Sequence, residues 1–411
     1  MLAALDNGVK GGKWFSLWDK VYAPATLLAA WKQVKRNKGC HGIDGVSVER
    51  FAAGQDIYLQ ELHQALKEGC YQPLPVKRVL IPKAGGGKRP LGIPAVKDRI
   101  VQAALKLVIE PIFENEFVSS SYGFRPQRGC KNALWKVDKH LKMGQTWVVD
   151  ADMKNYFDTI SHTKLMLEVE KYISDGKVLN LIEAYLKQDI INGLEQWTPT
   201  AGTPQGAIIS PLLANLYLHE LDKTMMQAGY TMVRYADDFV ILCDSQDKAE
   251  QALVMIRQWV DDRELILHPD KTHIGNCMIK GQGFEFLGYR FEAGKRFVRK
   301  KSMDAFKDKI RSKTKRGRGD SMECIAKDLN PMLRGWFNYF KHANKWTFPK
   351  LDGFIRRRLR SLRCKQMKGY SCFGRTQWLH KQMPNTYFAE QGLFSLEEAY
   401  VMACQPRCGN S

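Results

Sequence analysis

The chain has 411 residues, 44% of them hydrophobic, and its 63 Lys and Arg outweigh 43 Asp and Glu to give a formal net charge of +20. That apolar content excludes a disordered polymer, the length allows two or three cores, and no apolar run reaches the roughly 20 residues of a membrane span. So basic a balance calls for a polyanionic partner, and without a signal-peptide core in Met1–Lys20 the reading is a cytoplasmic, nucleic-acid-binding protein with no membrane partner.

In chain order, Leu27, Leu28, Trp31 and Val34 give an amphipathic helix over Leu27–Lys35, and Asn37–Gly45 is a polar, Gly-rich loop. Tyr71–Pro82 alternates and carries prolines, as an edge strand would, and Ala84–Lys88 is a tight turn. Lys97–Phe113 is a helix with Ile100, Ala104, Val108 and Ile112 on one face. Trp147–Asp152 is a short apolar strand ending in acid, and Gln205–Gln227 is a second long helix. Thr231–Leu242 reads as two strands joined by a hairpin at Ala236–Asp238, and Phe284–Phe291 as another strand pair.

Beyond that point the pattern turns helical and basic. Asn330–Pro331 looks like a cap followed by a first-turn proline, with Leu329, Leu333, Trp336 and Phe340 as the buried face. Asp352 looks like the cap of the next helix, whose stripe is Leu351, Ile355, Leu359 and Leu362. Between Lys295 and Tyr370 there are 24 Lys or Arg and 6 Asp or Glu, so this region holds nearly all of the excess charge. Within it Arg356, Arg357, Arg358, Arg360 and Arg363 fall off the apolar stripe and are candidate contacts to RNA phosphates. The plainer alternative for them is a solvated face. The ten cysteines include no C-x-x-C pair, so a zinc site is not expected and reduced thiols are.

The chemistry sits in the carboxylates. Asp237 and Asp238 are adjacent at a hairpin tip, where they repel each other, and a divalent cation would remove that conflict. A solvated turn is the rival reading. Asp152 ends a separate strand, and two-metal phosphoryl transfer needs carboxylates from separate strands converging on paired cations. Mg²⁺, which prefers hard oxygens and keeps phosphate and water ligands, suits such a site.

Asp152-Met153-Lys154-Asn155-Tyr156-Phe157, Thr203-Pro204-Gln205-Gly206 with Ile209–Asn215, and Tyr235-Ala236-Asp237-Asp238 resemble, in order, three motifs of reverse transcriptases. Gly42–Val46, Ile81-Pro82-Lys83, Arg89–Pro94, Ser121–Pro126, Phe286-Leu287-Gly288 and Leu333–Phe340 are similar to blocks of the group II intron enzymes, also called maturases. Thr386-Tyr387 and Gln391-Gly392-Leu393 resemble the tail of their compact bacterial class C members. Ala207 departs from the family, which often has glycine there.

The resemblance implies an α+β fold: a right-hand polymerase with fingers and an antiparallel palm sheet over 1–292, an all-α thumb or maturase domain over 293–365, and a short basic tail over 366–411. It implies RNA-directed DNA synthesis on an RNA template from a DNA or RNA primer, together with binding of group II intron RNA to assist splicing and mobility. Asp152, Asp237 and Asp238 would be catalytic and, with the Met153 carbonyl, would hold two Mg²⁺ ions, with Mn²⁺ as a substitute. Lys83, Arg89, Met153, Phe157 and Gln205 would contact the dNTP, Phe157 as a gate against the ribose 2′-hydroxyl. No His-Asn-His nuclease is expected, and the oligomeric state stays open. Two alternatives remain: a domesticated relative serving phage defence or DNA repair, and an RNA-binding splicing factor that does not polymerise.

Overall fold

The computed structural model describes residues 12–82, 86–367 and 376–405. The chain divides into two compact units, Met1–Ile274 and Gly275–Ser411. No helix among the described residues is long and apolar enough to cross a membrane.

The first unit holds two sheets and the larger core. Strands β1 (Val76–Pro82) and β2 (Lys88–Ile93) form an antiparallel hairpin in which Pro82 faces Lys88. Lys83, Ala84 and Gly85 of the expected turn lie outside the described residues. β3 is Trp147–Asp152, and the short β4 (Ile190–Asn192) and β5 (Glu195–Trp197) extend the first sheet, in the order β2-β1-β4-β5. β6 (Thr231–Tyr235), β7 (Asp238–Cys243) and β8 (His273–Asn276) complete the second sheet, in the order β6-β7-β3-β8. The β6-β7-β3 pairings are antiparallel, as expected for a palm.

The expected helices appear, with ends set by tertiary contacts. Pro24–Asn37 starts on a proline, and Val96–Glu116 runs through Pro111 with Ile100, Ala104, Val108 and Ile112 buried. The helix expected from Gln205 begins only at Ser210, with Pro211 in its first turn. The delay has a local cause. Gly206 has φ +111°, and a Cβ there would lie 2.3 Å from the Gly92 carbonyl oxygen, so this stretch is pressed against β2 and cannot coil. The Ile208 N–H is bound by the Gln102 side chain at 2.8 Å, which fixes the loop to the long helix.

The second unit begins with a sheet, not with a helix. β9 (Phe284–Phe286), β10 (Tyr289–Glu292) and β11 (Lys295–Val298) form an antiparallel meander. Phe286-Leu287-Gly288, expected to close the palm, is instead the turn of its first hairpin. Leu287 and Gly288 both have positive φ, which suits a two-residue turn. The Tyr289 hydroxyl donates to the Tyr339 carbonyl, and the Tyr339 hydroxyl to the Leu287 carbonyl, so the meander is tied to the helix Met322–Phe340. The first two strands of the meander precede residue 293, and only β11 lies within the stretch expected to be all-α.

Two expected helix starts fall elsewhere. Met322–Phe340 is capped by Ser321 and runs through Pro331. Asn330 uses its side chain on the distant turn near the C-terminus, donating to the Gly392 carbonyl at 2.8 Å and accepting from Phe394 N–H at 2.8 Å. Asp352 lies inside Thr347–Gln366 and caps another helix, Leu396–Cys404, accepting from the N–H groups of Leu396 and Glu397 at 3.1 and 3.0 Å. Both residues have the chemistry of caps, but their partners are far along the chain. The stretch expected as a basic tail is, over its described part, three short helices fastened in this way. Cys364 is disulfide-bonded, against the expectation of thiols throughout.

The arginine cluster also divides. Arg357 is exposed and Arg356 half-buried, but Arg360 is buried. Its Nε donates to the Met383 carbonyl at 2.9 Å, a terminal nitrogen reaches Asn385 Oδ1 at 3.1 Å, and the guanidinium stacks over Phe388. Arg358 binds Thr314 through both its carbonyl and its hydroxyl, and Arg363 binds Gln366. Arg360 thus packs the fold instead of facing a polyanion, because the chain after residue 376 covers the face it was expected to present. Arg360→Gln should destabilise the protein by about 1.5–3 kcal/mol, the worth of hydrogen bonds from a charged group. Arg357→Gln removes the same charge and should stay within about 0.5 kcal/mol of native in urea denaturation. Equal effects of the two substitutions would contradict the assignment.

Candidate active site

The hairpin β6–β7 brings two acids to its tip. Tyr235 pairs with Asp238, leaving Ala236 and Asp237 as the turn. Ala236 has φ +60°, a conformation for which glycine is the usual occupant. Strain of this kind persists only where the surroundings impose it. Here they are Arg234 and its partners.

Arg234 is fully buried in the middle of an otherwise apolar strand. It pairs with the equally buried Asp222, Nε to Oδ1 at 2.8 Å and a terminal nitrogen to Oδ2 at 2.5 Å. Its other terminal nitrogen donates to Asn215 Oδ1 and to the Ala236 carbonyl, both at 2.9 Å. Asn215 in turn donates to the Gly123 carbonyl at 2.7 Å. A Cβ on Gly123 would lie 2.4 Å from the Ala236 nitrogen. The segment around Gly123 is therefore laid directly on the turn, and the flanking bonds from Arg234 N–H to Ser120 O and from Tyr122 N–H to Arg234 O hold it there. Asn215 and Asp222, seven residues apart, share one face of the helix Ser210–Gln227. His219 sits on that face too, buried, with burial pushing its imidazole down to about 4.

Asp152 ends β3 directly opposite Asp238 in the register of β3 with β7. All three acids are half-buried. Burial, and then the charge of Asp152, push the Asp237 carboxyl above its usual range, while Arg89 and Arg234 oppose the shift. The Lys271 ammonium forms an ion pair with Asp152 Oδ2. Lys271 follows a segment that bonds to the chain just past β3: Lys154 N–H to Ile266 O at 2.8 Å and His268 N–H to Asp152 O at 2.7 Å. These bonds flank Met153 and leave its own carbonyl out of the pair. Among the described residues no three His, Cys, Asp or Glu side chains close into a ready-made metal cage. The donor set nonetheless fits cations: hard oxygens on adjacent strands, one carboxyl held high by burial and its neighbour's charge, and an ammonium already drawn to another.

Phe157 and Asp158, which follow β3 in the chain, line a cavity of about 320 Å³ whose walls also include Gln205, Gly92 and Trp197. Gln205 is clasped from both sides. Arg89 Nε donates to its Oε1 at 2.7 Å, and its Nε2 donates to Asp158 Oδ1 at 3.1 Å. The Gly92 N–H binds the Gln205 carbonyl at 2.6 Å, and the Thr203 N–H binds the Phe157 carbonyl at 2.7 Å. Phe157 is half-buried at the cavity wall, beside the buried Tyr156. The structure thus places Phe157 and Gln205 in the wall of one cavity, with Arg89 bound to Gln205 and near enough to Asp237 for its charge to act there.

Sequence reasoning missed Asn215, Asp222, Arg234, Asp158 and Lys271. An arginine inside an apolar strand, with an Asn and an Asp one heptad apart on the preceding helix, was a readable sign of a buried pair. Lys271 carried no local signal.

A hairpin presenting two acids beside a third on the neighbouring strand fits a template-directed polymerase of the palm class. The reverse transcriptase (RNA-dependent DNA polymerase) family matches residues 81–291, and the group II intron, maturase-specific domain matches residues 303–383. Protein YkfC of Escherichia coli is 36% identical over 309 residues, covering 65% of this chain and 80% of that protein. The group II intron-encoded protein LtrA of Lactococcus lactis is 38% identical over 212 residues, covering 51% of this chain and 35% of LtrA. A telomerase structure from Candida albicans is similar at 12% identity and TM-score 0.44, covering 86% of this chain and 71% of that one. The chain belongs to the reverse transcriptases, and within them to the group II intron enzymes that carry a maturase domain. It is an RNA-directed DNA polymerase of a family that depends on divalent metal and binds nucleic acid, intron RNA included.

Replacing Arg234 with Met should leave Asp222 charged and buried alone, at a cost of about 3–5 kcal/mol. The double variant Arg234→Met with Asp222→Leu should recover part of that loss in urea denaturation. A single variant as stable as native would show that the pair does not hold the turn.

Proposed function

We propose that Asp152, Asp237 and Asp238 hold the catalytic divalent ions, with Mg²⁺ as the natural metal and Mn²⁺ as a substitute. The observation that carries this is the register pairing of Asp152 with Asp238, with Asp237 on the turn between β6 and β7. The Met153 carbonyl is a further oxygen ligand. When bound, two such ions supply an activated primer hydroxyl and charge relief for the departing pyrophosphate. The chain's own residues do the rest. Arg89, bound to Gln205, meets the triphosphate, and Gln205, clasped by Arg89 and Asp158 in the cavity wall, lies along the incoming nucleotide. Lys83 acts with Arg89. Phe157 blocks the place of a ribose 2′-hydroxyl. Lys271 keeps Asp152 paired with a positive charge. The basic second unit grips the template–primer and the folded intron RNA through phosphates and 2′-hydroxyls, with Arg356 and Arg357 available for that role.

Asp238→Asn should bring primer extension below about a hundredth of the native rate with template–primer affinity nearly intact, since a missing metal ligand costs several kcal/mol of transition-state stabilisation. Extension above that level would remove Asp238 from the metal site.

Phe157→Ala should raise ribonucleotide incorporation relative to deoxynucleotides by at least about tenfold, the difference that roughly 1.4 kcal/mol of relieved clash would make. A folded, extending variant with an unchanged ratio would make Phe157 a packing residue only.

A further inference from the structure

The second unit has a concave site that the polymerase chemistry does not use. It lies where β11, the helix Lys300–Lys313 and the start of the helix Thr347–Gln366 meet, and its volume is about 570 Å³. Phe297, Trp346 and Phe354 line it, together with Lys295, Lys307, Lys350 and Arg357. No lining residue is acidic, and among the described residues no ion pair is formed by any of those four cations. Ligand cavities fall in this size range and combine apolar walls with a few charged groups.

The aromatic wall is held open. Asn344 N–H donates to the Arg296 carbonyl at 2.7 Å, which fastens the loop to β11. The Asn344 side chain accepts from Trp346 N–H at 3.1 Å. Trp346 therefore has a fixed backbone, yet the residue is 62% exposed. So large a ring kept in water beside Lys345, whose Nζ is 5.3 Å from the ring centroid, is a platform without its stacking partner. Phe354 is flanked by Arg311 and Arg357 at 5.5 and 5.9 Å, which places cations beside an aromatic face.

We propose that this cavity takes one unpaired RNA nucleotide, its base stacked against Trp346 and its neighbouring phosphates on Lys295, Lys350 and Arg357. The inference rests on the RNA-binding part of the function proposed above and deepens it. Duplex RNA keeps its bases inside the helix and would use the cations but not the aromatic wall. An extruded or single-stranded nucleotide uses both, and every base has a face to stack. An acidic peptide would meet the charges and leave the rings wet.

The test uses the full chain and a short oligouridylate, with excess blunt RNA duplex present to occupy duplex-binding surfaces. Trp346→Ala should weaken oligouridylate binding by about five- to a hundredfold, the range for removal of one base–aromatic stack, and Trp346→Phe should restore most of it. An abasic ribose-phosphate oligomer should bind native protein more weakly and be indifferent to Trp346→Ala. Lys295→Gln with Lys350→Gln should flatten the salt dependence of log affinity by about 0.7 for each phosphate no longer neutralised. The midpoint of urea denaturation should stay native in the Trp346 variants, which reports that they fold. The proposal is overturned if Trp346→Ala binds oligouridylate as native does, or if polyglutamate displaces it from native protein in a Trp346-dependent way, which would point to a protein partner. Failure of the native chain to extend any primer would instead count against the proposed polymerase site, and the two failures are read separately.

Discussion

The tip of the β6–β7 hairpin depends on one buried ion pair. Arg234 and Asp222 have no access to water, so neither could be tolerated without the other. Such a pair adds little net stability when compared with apolar replacements. Its value lies in direction, because a guanidinium has a fixed fork of donors. Two of them are spent on Asp222, and a third fixes Asn215 and the Ala236 carbonyl. The strained turn, the helix face and the segment around Gly123 are all located by that fork.

The fingers side is organised by different means. There the main chain does most of the fixing: Gly92 N–H on Gln205, Gly206 pressed on the Gly92 carbonyl, Thr203 N–H on Phe157. These contacts give the cavity walls a rigid frame, while the Gln205 side chain is set by two charged neighbours, Arg89 and Asp158. Any molecule arriving at that cavity would meet an amide already aimed, at low cost in side-chain freedom.

Much of this was legible in the sequence because the signals were local. Apolar runs ending in acid gave β3 and the β6–β7 hairpin, and helical spacing gave Val96–Glu116. What failed was reading polar residues by their neighbours in the chain. Asn330 and Asp352 have the chemistry of caps, but each serves a backbone tens of residues away. Arg360 was placed off the apolar stripe, yet the chain after residue 376 covers it. Lys271 reaches Asp152 only because the preceding segment pairs with the chain past β3. In each case the partner is non-local, and periodicity carries no information about it. The same holds for the β9–β11 meander, whose hairpin turn resembles a palm block while its hydrogen bonds go to the helix Met322–Phe340.

The packing of Gly123 on the turn has a consequence for how such a chain can change over generations. A clash between two side chains can be repaired by trimming either one. What a side chain at position 123 would strike is the Ala236 main-chain nitrogen, which is the same in all residue types. No second substitution at 236 offers relief, because there is nothing there to make smaller. Variation at Gly123 therefore requires the backbone of one segment to move bodily, either that around position 123 or the turn that carries Asp237. The position is closed to the stepwise compensation that lets most of a core drift.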